Sequence, residues 1–86
     1  MATIKSFEDL SCWQLARDVA REIGQHCCRG RLREDPSLMD QIRRSSGSVM
    51  DNLAEGFDRG SRGEFIRFLG YAKGSAGEVK SQLYRA

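Results

Sequence analysis

The feature that most narrows what this chain can fold into is one long run of apolar positions framed by two breaks. Leu38, Ile42, Ser46, Val49, Leu53 and Phe57 recur every three or four residues, close to the helical repeat, so they share one helical face. The run starts at Asp35-Pro36. An Asp carboxylate there can accept from the first unpaired N–H groups, and Pro at the first helical position lacks an N–H that would have no partner anyway. The run stops at Gly60, a residue type suited to the left-handed conformation that closes helices. The spacing predicts a helix over 36–59. Gln41, Ser45, Ser48, Asn52, Glu55 and Arg59 form a second, polar stripe within an arc of about 80° beside the apolar one. Asp40, Asp51 and Asp58 lie opposite.

Two further helices flank this one. Over about 10–28, Trp13, Ala16, Val19, Ala20, Ile23 and Cys27 share a face. Arg17, Asp18, Arg21, Glu22 and Gln25 fall mainly elsewhere. Ser6-Phe7-Glu8-Asp9 offers an acidic capping start, with Phe7 placed to staple onto the first turn. Residues 29–35 read as a basic loop. Over 62–85 the stripe is Phe65, Phe68, Leu69, Ala72, Ala76, Val79 and Leu83, opened by a Ser61-x-x-Glu64 capping box. Glu64, Tyr71, Ser75, Glu78 and Gln82 flank it, and Gly63, Gly70, Gly74, Gly77 and Ser81 form its back. Glycines inside a helix cost up to about 1 kcal/mol each relative to Ala, so close approach of another backbone is expected on that back face. The helical pattern persists through Leu83-Tyr84-Arg85 without a stop signal. Three narrow stripes leave room for a fourth partner, either a further C-terminal helix or a neighbouring chain. The fold class expected is all-α: an up-down bundle of the four-helix type, with three long amphipathic helices in one domain over 1–86.

Composition excludes several functions. At 86 residues the chain holds one modest core. No apolar run is long enough to span a membrane, and Met1-Ala2-Thr3-Ile4-Lys5 lacks the apolar segment of a secretion signal; a cytoplasmic location is the expectation. Cys12, Cys27 and Cys28 make a poor disulfide framework and suit reduced thiols. His26-Cys27-Cys28 has no second ligand cluster, and consecutive helical side chains diverge by about 100°, so no metal is expected. Nor is a cofactor. The lone His26 has no evident acid or nucleophile companion in the sequence, and no catalytic residue emerges. The protein reads as a non-enzyme.

Two sets of residues remain as candidate sites. The formal charge is only +2, although eleven of the 14 basic residues are Arg, the better fork for phosphate. Arg29, Arg31 and Arg33, Arg43 and Arg44, and Arg59 and Arg62 are the candidate nucleic-acid contacts, diluted by Glu34, Asp35, Asp40 and Asp58. No aromatic platform for single strands accompanies them. The second set is a polar network between helices or subunits, drawn from Asn52, Glu55, Ser75 and Glu78 with Arg43 or Arg44. Such buried networks need partners and can fix register. Trp13 reads as a core anchor. The alternative to nucleic-acid binding is a protein-interaction module docking through the glycine-rich face.

An ordered set of motifs also carries a resemblance. It begins at Phe7-Glu8-Asp9-Leu10 with Trp13-Gln14 and resumes at Gln41-Ile42-Arg43-Arg44 and Ser48-Val49. It continues through Asn52-Leu53-Ala54-Glu55-Gly56-Phe57, Glu64-Phe65-Ile66-Arg67-Phe68-Leu69 and Ala72-Lys73-Gly74-Ser75 to Glu78. In this the chain is similar to the bacterial four-helix-bundle proteins encoded in intervening sequences of 23S ribosomal RNA genes. Gly47 stands where that pattern usually has an apolar residue, and Met50 where it often has Pro. The resemblance implies a fourth helix. It extends to the accessory protein of diversity-generating retroelements, a basic pentameric ring that works with a reverse transcriptase and RNA. By that analogy the protein is expected to be a homopentamer with a structured RNA or nucleoprotein partner.

Overall fold

The computed structural model describes residues 4–27 and 29–86, and of Arg31 the backbone alone. The readings that involve Met1, Ala2, Thr3, Cys28 and the Arg31 side chain lie outside the described residues. Three long helices account for most of the chain: α1 (Ser11–His26), α2 (Pro36–Asp58) and α3 (Arg62–Arg85). A 3-10 turn, Phe7–Asp9, precedes α1, and a four-residue helical turn, Gly30–Arg33, lies between α1 and α2. There is no strand among the described residues. The fold is all-α with three long helices, and the fourth helix of the expected bundle is not among them.

The ends of α2 and α3 follow from side-chain chemistry. Asp35 Oδ1 accepts from the Leu38 N–H at 3.0 Å, with Pro36 at the first helical position. Beyond α2, Gly60 takes φ +79°, a region that favours glycine, and its N–H donates to the Phe57 carbonyl at 3.2 Å. Ser61 Oγ then accepts from the Glu64 N–H at 3.2 Å to open α3. Glu64 does not complete the capping box; its carboxylate pairs with Arg67 at 3.2 Å.

Helix α1 begins at Ser11, close to the expected start, but the acidic segment before it caps a separate turn. The Asp9 carboxylate closes back on the N–H groups of Lys5 and Ser6 at 3.2 and 3.3 Å. It thereby caps the 3-10 turn, and α1 begins only after Leu10. Phe7 staples onto the first turn of α1 as expected, through Trp13, with ring centroids 5.2 Å apart.

Packing runs along α2. One buried cluster joins Ile23 and Cys27 of α1, Leu38 and Ile42 of α2, and Val79 of α3, with Leu32 from the connecting turn. A second joins Ala16, Leu53 and Ala72, with Trp13, Val49 and Met50 against it. Ala16 shares a cluster with Ala72 and Ile23 with Val79, so α1 and α3 point the same way and α2 runs against both. Ile42 is fully buried and ties the three helices together. The molecule is elongated, 45 × 22 × 15 Å.

Two features of the core were not read from the sequence. Leu32 is buried at 8% exposure, so the basic loop is pinned by a helical turn, entered through Gly30 at φ +61°. At Gly56 a Cβ would stand 2.6 Å from the Phe68 Cβ; only glycine lets α2 and α3 approach so closely there. The glycines expected to mediate close approach do not do so within this chain. Gly63, Gly70, Gly74 and Gly77 have open space where a Cβ would go.

Candidate functional site

The two flanks of α3 are chemically opposite, and together they make the candidate site. The flank toward α2 is polar. Ser45 Oγ donates to Glu78 Oε2 at 3.3 Å, and the Ser48 and Ser75 hydroxyls bond at 2.9 Å. Asn52 Nδ2 reaches back to the Ser48 carbonyl and hydroxyl at 2.9 and 3.0 Å. Near the other end Arg85 donates to Gln41 Oε1 at 3.2 Å. These pairs line up because both helices carry a polar stripe beside the apolar one, and antiparallel packing sets the stripes face to face. A buried hydroxyl or amide needs such a partner.

Of the expected network, Asn52, Ser75 and Glu78 come together along this seam. Glu55 does not cross to α3. It accepts from Arg59 at 2.9 Å on its own helix, and that bond is the main reason the Arg59 pKa is raised. Arg43 and Arg44 are exposed on α2, and Arg44 pairs with Asp40 at 3.0 Å. Among the described residues neither arginine side chain bonds to the seam; both lie exposed on α2. Ser45 and Ser48 complete the seam; the α2 polar stripe already contained them.

The other flank of α3 is apolar and open. Leu69, Ala76 and Leu83 face Cys12, Leu15 and Val19 of α1 across a groove of about 470 Å³, floored by Ser46, Val49 and Leu53 of α2. Its rims are exposed: Leu15 66%, Val19 44%, Leu83 48% and Leu69 37%. The groove exists because α1 and α3 both pack mainly on α2. Its sequence signal was the width of the apolar surface. Leu15 falls outside the α1 core stripe, and Leu69, Ala76 and Leu83 widen the α3 stripe beyond what one facing helix covers.

The six candidate arginines whose side chains are described do not form one patch. Arg29 and Arg33 sit by the connecting turn before α2, and Arg43 and Arg44 lie on its first half. Arg59 and Arg62 lie at the far end of α2, whose 23 residues span roughly 35 Å. Arg59 is further committed there, its guanidinium 5.2 Å from the Phe68 ring centroid, with Arg67 at 5.3 Å. Of the remaining candidates, Trp13 is half-buried against the second cluster, with Arg17 over its ring at 5.5 Å. His26 has a carboxylate neighbour that the sequence reading missed, Glu22 at 3.7 Å, both side chains well exposed. No group of three metal-ligating side chains occurs among the described residues. No helix among them is long and apolar enough to cross a membrane.

Comparison with known proteins adds one finding to this geometry. No curated protein and no solved structure matches the chain. A family model, described as 23S rRNA-intervening sequence protein, matches residues 8–86. That span takes in the three long helices, the seam and both walls of the groove. The chain therefore belongs to the 23S rRNA-intervening sequence protein family.

Proposed function

We propose that this protein is a non-enzymatic assembly module: copies of the chain associate through the apolar surface around the groove between α1 and α3. The observation that carries this reading is the exposure of Leu15, Val19, Leu69 and Leu83 around one continuous apolar groove. Exposed apolar area of this kind marks interaction surfaces. Three helices around a vacant corner bury less than the four-helix packing their stripes suit. The lining is mainly aliphatic, which suits contact with another apolar face.

RNA contact is the second reading. Arg29, Arg33, Arg43 and Arg62 make no ion pair among the described residues. Phosphate binding requires clustered cations, and one chain spreads these four along its length. Assembly is the step that would gather them on one surface.

Light scattering tests the first reading. The wild type should give a particle heavier than the 9.7 kDa chain, and Leu15→Asp with Leu69→Asp should reduce it to a single chain with unchanged helical circular dichroism. A wild type that stays a single chain at high concentration overturns the proposal. The assembled form, and not the Asp variant, should bind a structured RNA at low salt if the second reading holds.

A further inference from the structure

Charge is unevenly shared among the long helices. α3 carries five cations, Arg62, Arg67, Lys73, Lys80 and Arg85, against two carboxylates, Glu64 and Glu78. α2 is acidic, with Asp40, Asp51, Glu55 and Asp58 against Arg43 and Arg44. The net charge of α3 alone therefore exceeds the +2 of the whole chain. By the helical repeat the five cations fall within an arc of roughly 140°. That arc lies opposite the buried residues Phe68, Ala72, Val79 and Gln82, and all five cations are exposed. Neither carboxylate lies in it. Glu64 pairs with Arg67, and Glu78 accepts from Ser45 on the α2 side. Arg62, Lys73, Lys80 and Arg85 make no ion pair among the described residues.

The arc is divided lengthwise. Arg62, Lys73 and Lys80 form one row, and Arg67 and Arg85 form another. Between the rows, from Gly70 to Ser81, the crest of the helix is almost bare. A Cβ at Gly70, Gly74 or Gly77 would meet open space, so nothing among the described residues covers it. The rows run along 24 residues, a length of about 35 Å, and a helix with its side chains sets them roughly 10 Å apart. Two lines of cations beside a smooth ridge complement two lines of phosphates beside a groove. A-form RNA presents a wide, shallow minor groove that is recognised by its shape, its phosphates and its 2′-hydroxyls. An acidic protein helix suits this face less, because helix packing in water draws on buried apolar side chains, and the crest offers none.

We infer, on the RNA reading above, that the outward face of α3 is a contact for duplex RNA. The crest from Gly70 to Ser81 lies along the minor groove. Arg62, Lys73 and Lys80 meet the phosphates of one strand, and Arg67 and Arg85 those of the other. These contacts are to the backbone, so binding is independent of base sequence. The lysines complete a set that the sequence hides, since the five cations are spread over two dozen residues and gather only on the helix.

Fluorescence anisotropy with a labelled RNA duplex of about 20 base pairs tests the inference. The wild type should bind at low salt, with an affinity that falls steeply as salt rises. Lys73→Glu with Lys80→Glu should weaken binding by at least about tenfold, while Arg43→Glu with Arg44→Glu on α2 should change it by less than about twofold. Gly74→Leu adds bulk to the crest without charge and should weaken binding several-fold, whereas Gly74→Ala should bind like the wild type. Helical circular dichroism and particle mass should be the same for all of them. Undiminished binding by the lysine variant, loss with the Arg43 and Arg44 variant, or preference for a single strand overturns the α3 contact and leaves the RNA reading standing. A lysine variant of lower particle mass makes this face an interface between copies and overturns the contact too. Gly74→Leu that binds like the wild type overturns the seating of the crest in the groove. A folded wild type that binds no RNA overturns this inference and the RNA reading together.

Discussion

The flanks of α3 differ in a way that reverses the usual order of a small domain. Toward α2 the helix sets a half-buried hydroxyl and an exposed carboxylate against its neighbour, where Ser75 and Glu78 find partners in Ser48 and Ser45. Toward α1 it leaves leucines in water, with Leu83 at 48% exposure. Polar groups brought inside need exact partners, whereas an aliphatic surface accepts any complementary apolar face. The seam is thus suited to fixing the position of two helices of one chain. The groove is suited to receiving something else.

Substitutions on the two sides should separate them. The largest effect is expected at Gly56. Gly56→Ala puts a Cβ 2.6 Å from the Phe68 Cβ and should cost about 1–3 kcal/mol by overpacking, read as a lower urea midpoint. The same change at Gly74, where space is open, should instead stabilise by up to about 1 kcal/mol. Equal responses at the two glycines would erase the contrast. Next in size is the seam. Ser48→Ala strands the Ser75 hydroxyl and should cost about 1 kcal/mol, while Ser48→Ala with Ser75→Ala should cost less than the two single changes together. Additive losses in that cycle would mean that the two hydroxyls do not bond. The smallest effect is expected at Leu15. Leu15→Ala should change the stability of the dissociated chain by no more than about 0.5 kcal/mol, judged by chemical denaturation at low protein concentration. A core-sized loss there would place Leu15 inside the single chain and close the groove.

Much of the fold could be read in advance because its signals are local. Asp35-Pro36 and Gly60-Ser61 act within one turn of backbone, so α2 and α3 begin and end where those residues allow. The polar stripes on α2 and α3 were also visible, and antiparallel pairing is enough to bring Ser48 to Ser75. What could not be read depends on distance between segments. Nothing around Leu32 distinguishes a buried leucine from an exposed one, because its burial depends on α1 and α2 converging over it. Gly56 sits in a motif, yet its reason lies in Phe68, a helix away. The arginines looked close in sequence, but α2 carries Arg59 and Arg62 to the end opposite Arg29 and Arg33. The groove is a property of three helices at once; Leu15, just off the core stripe, was its one trace in α1.

The seam between α2 and α3 has a mechanical consequence. A lone helix with an apolar strip in water can roll about its own axis until the strip turns inward. Here a roll that tucked Leu69, Ala76 and Leu83 against α2 would lift Ser75 and Glu78 off Ser48 and Ser45 and shear Arg85 from Gln41. Those rungs work as a ratchet pawl: they hold α3 at one angular setting and deny the chain the cheapest way to hide its own oily edge. Held at that setting, α3 cannot cover the groove by rotating on its own axis.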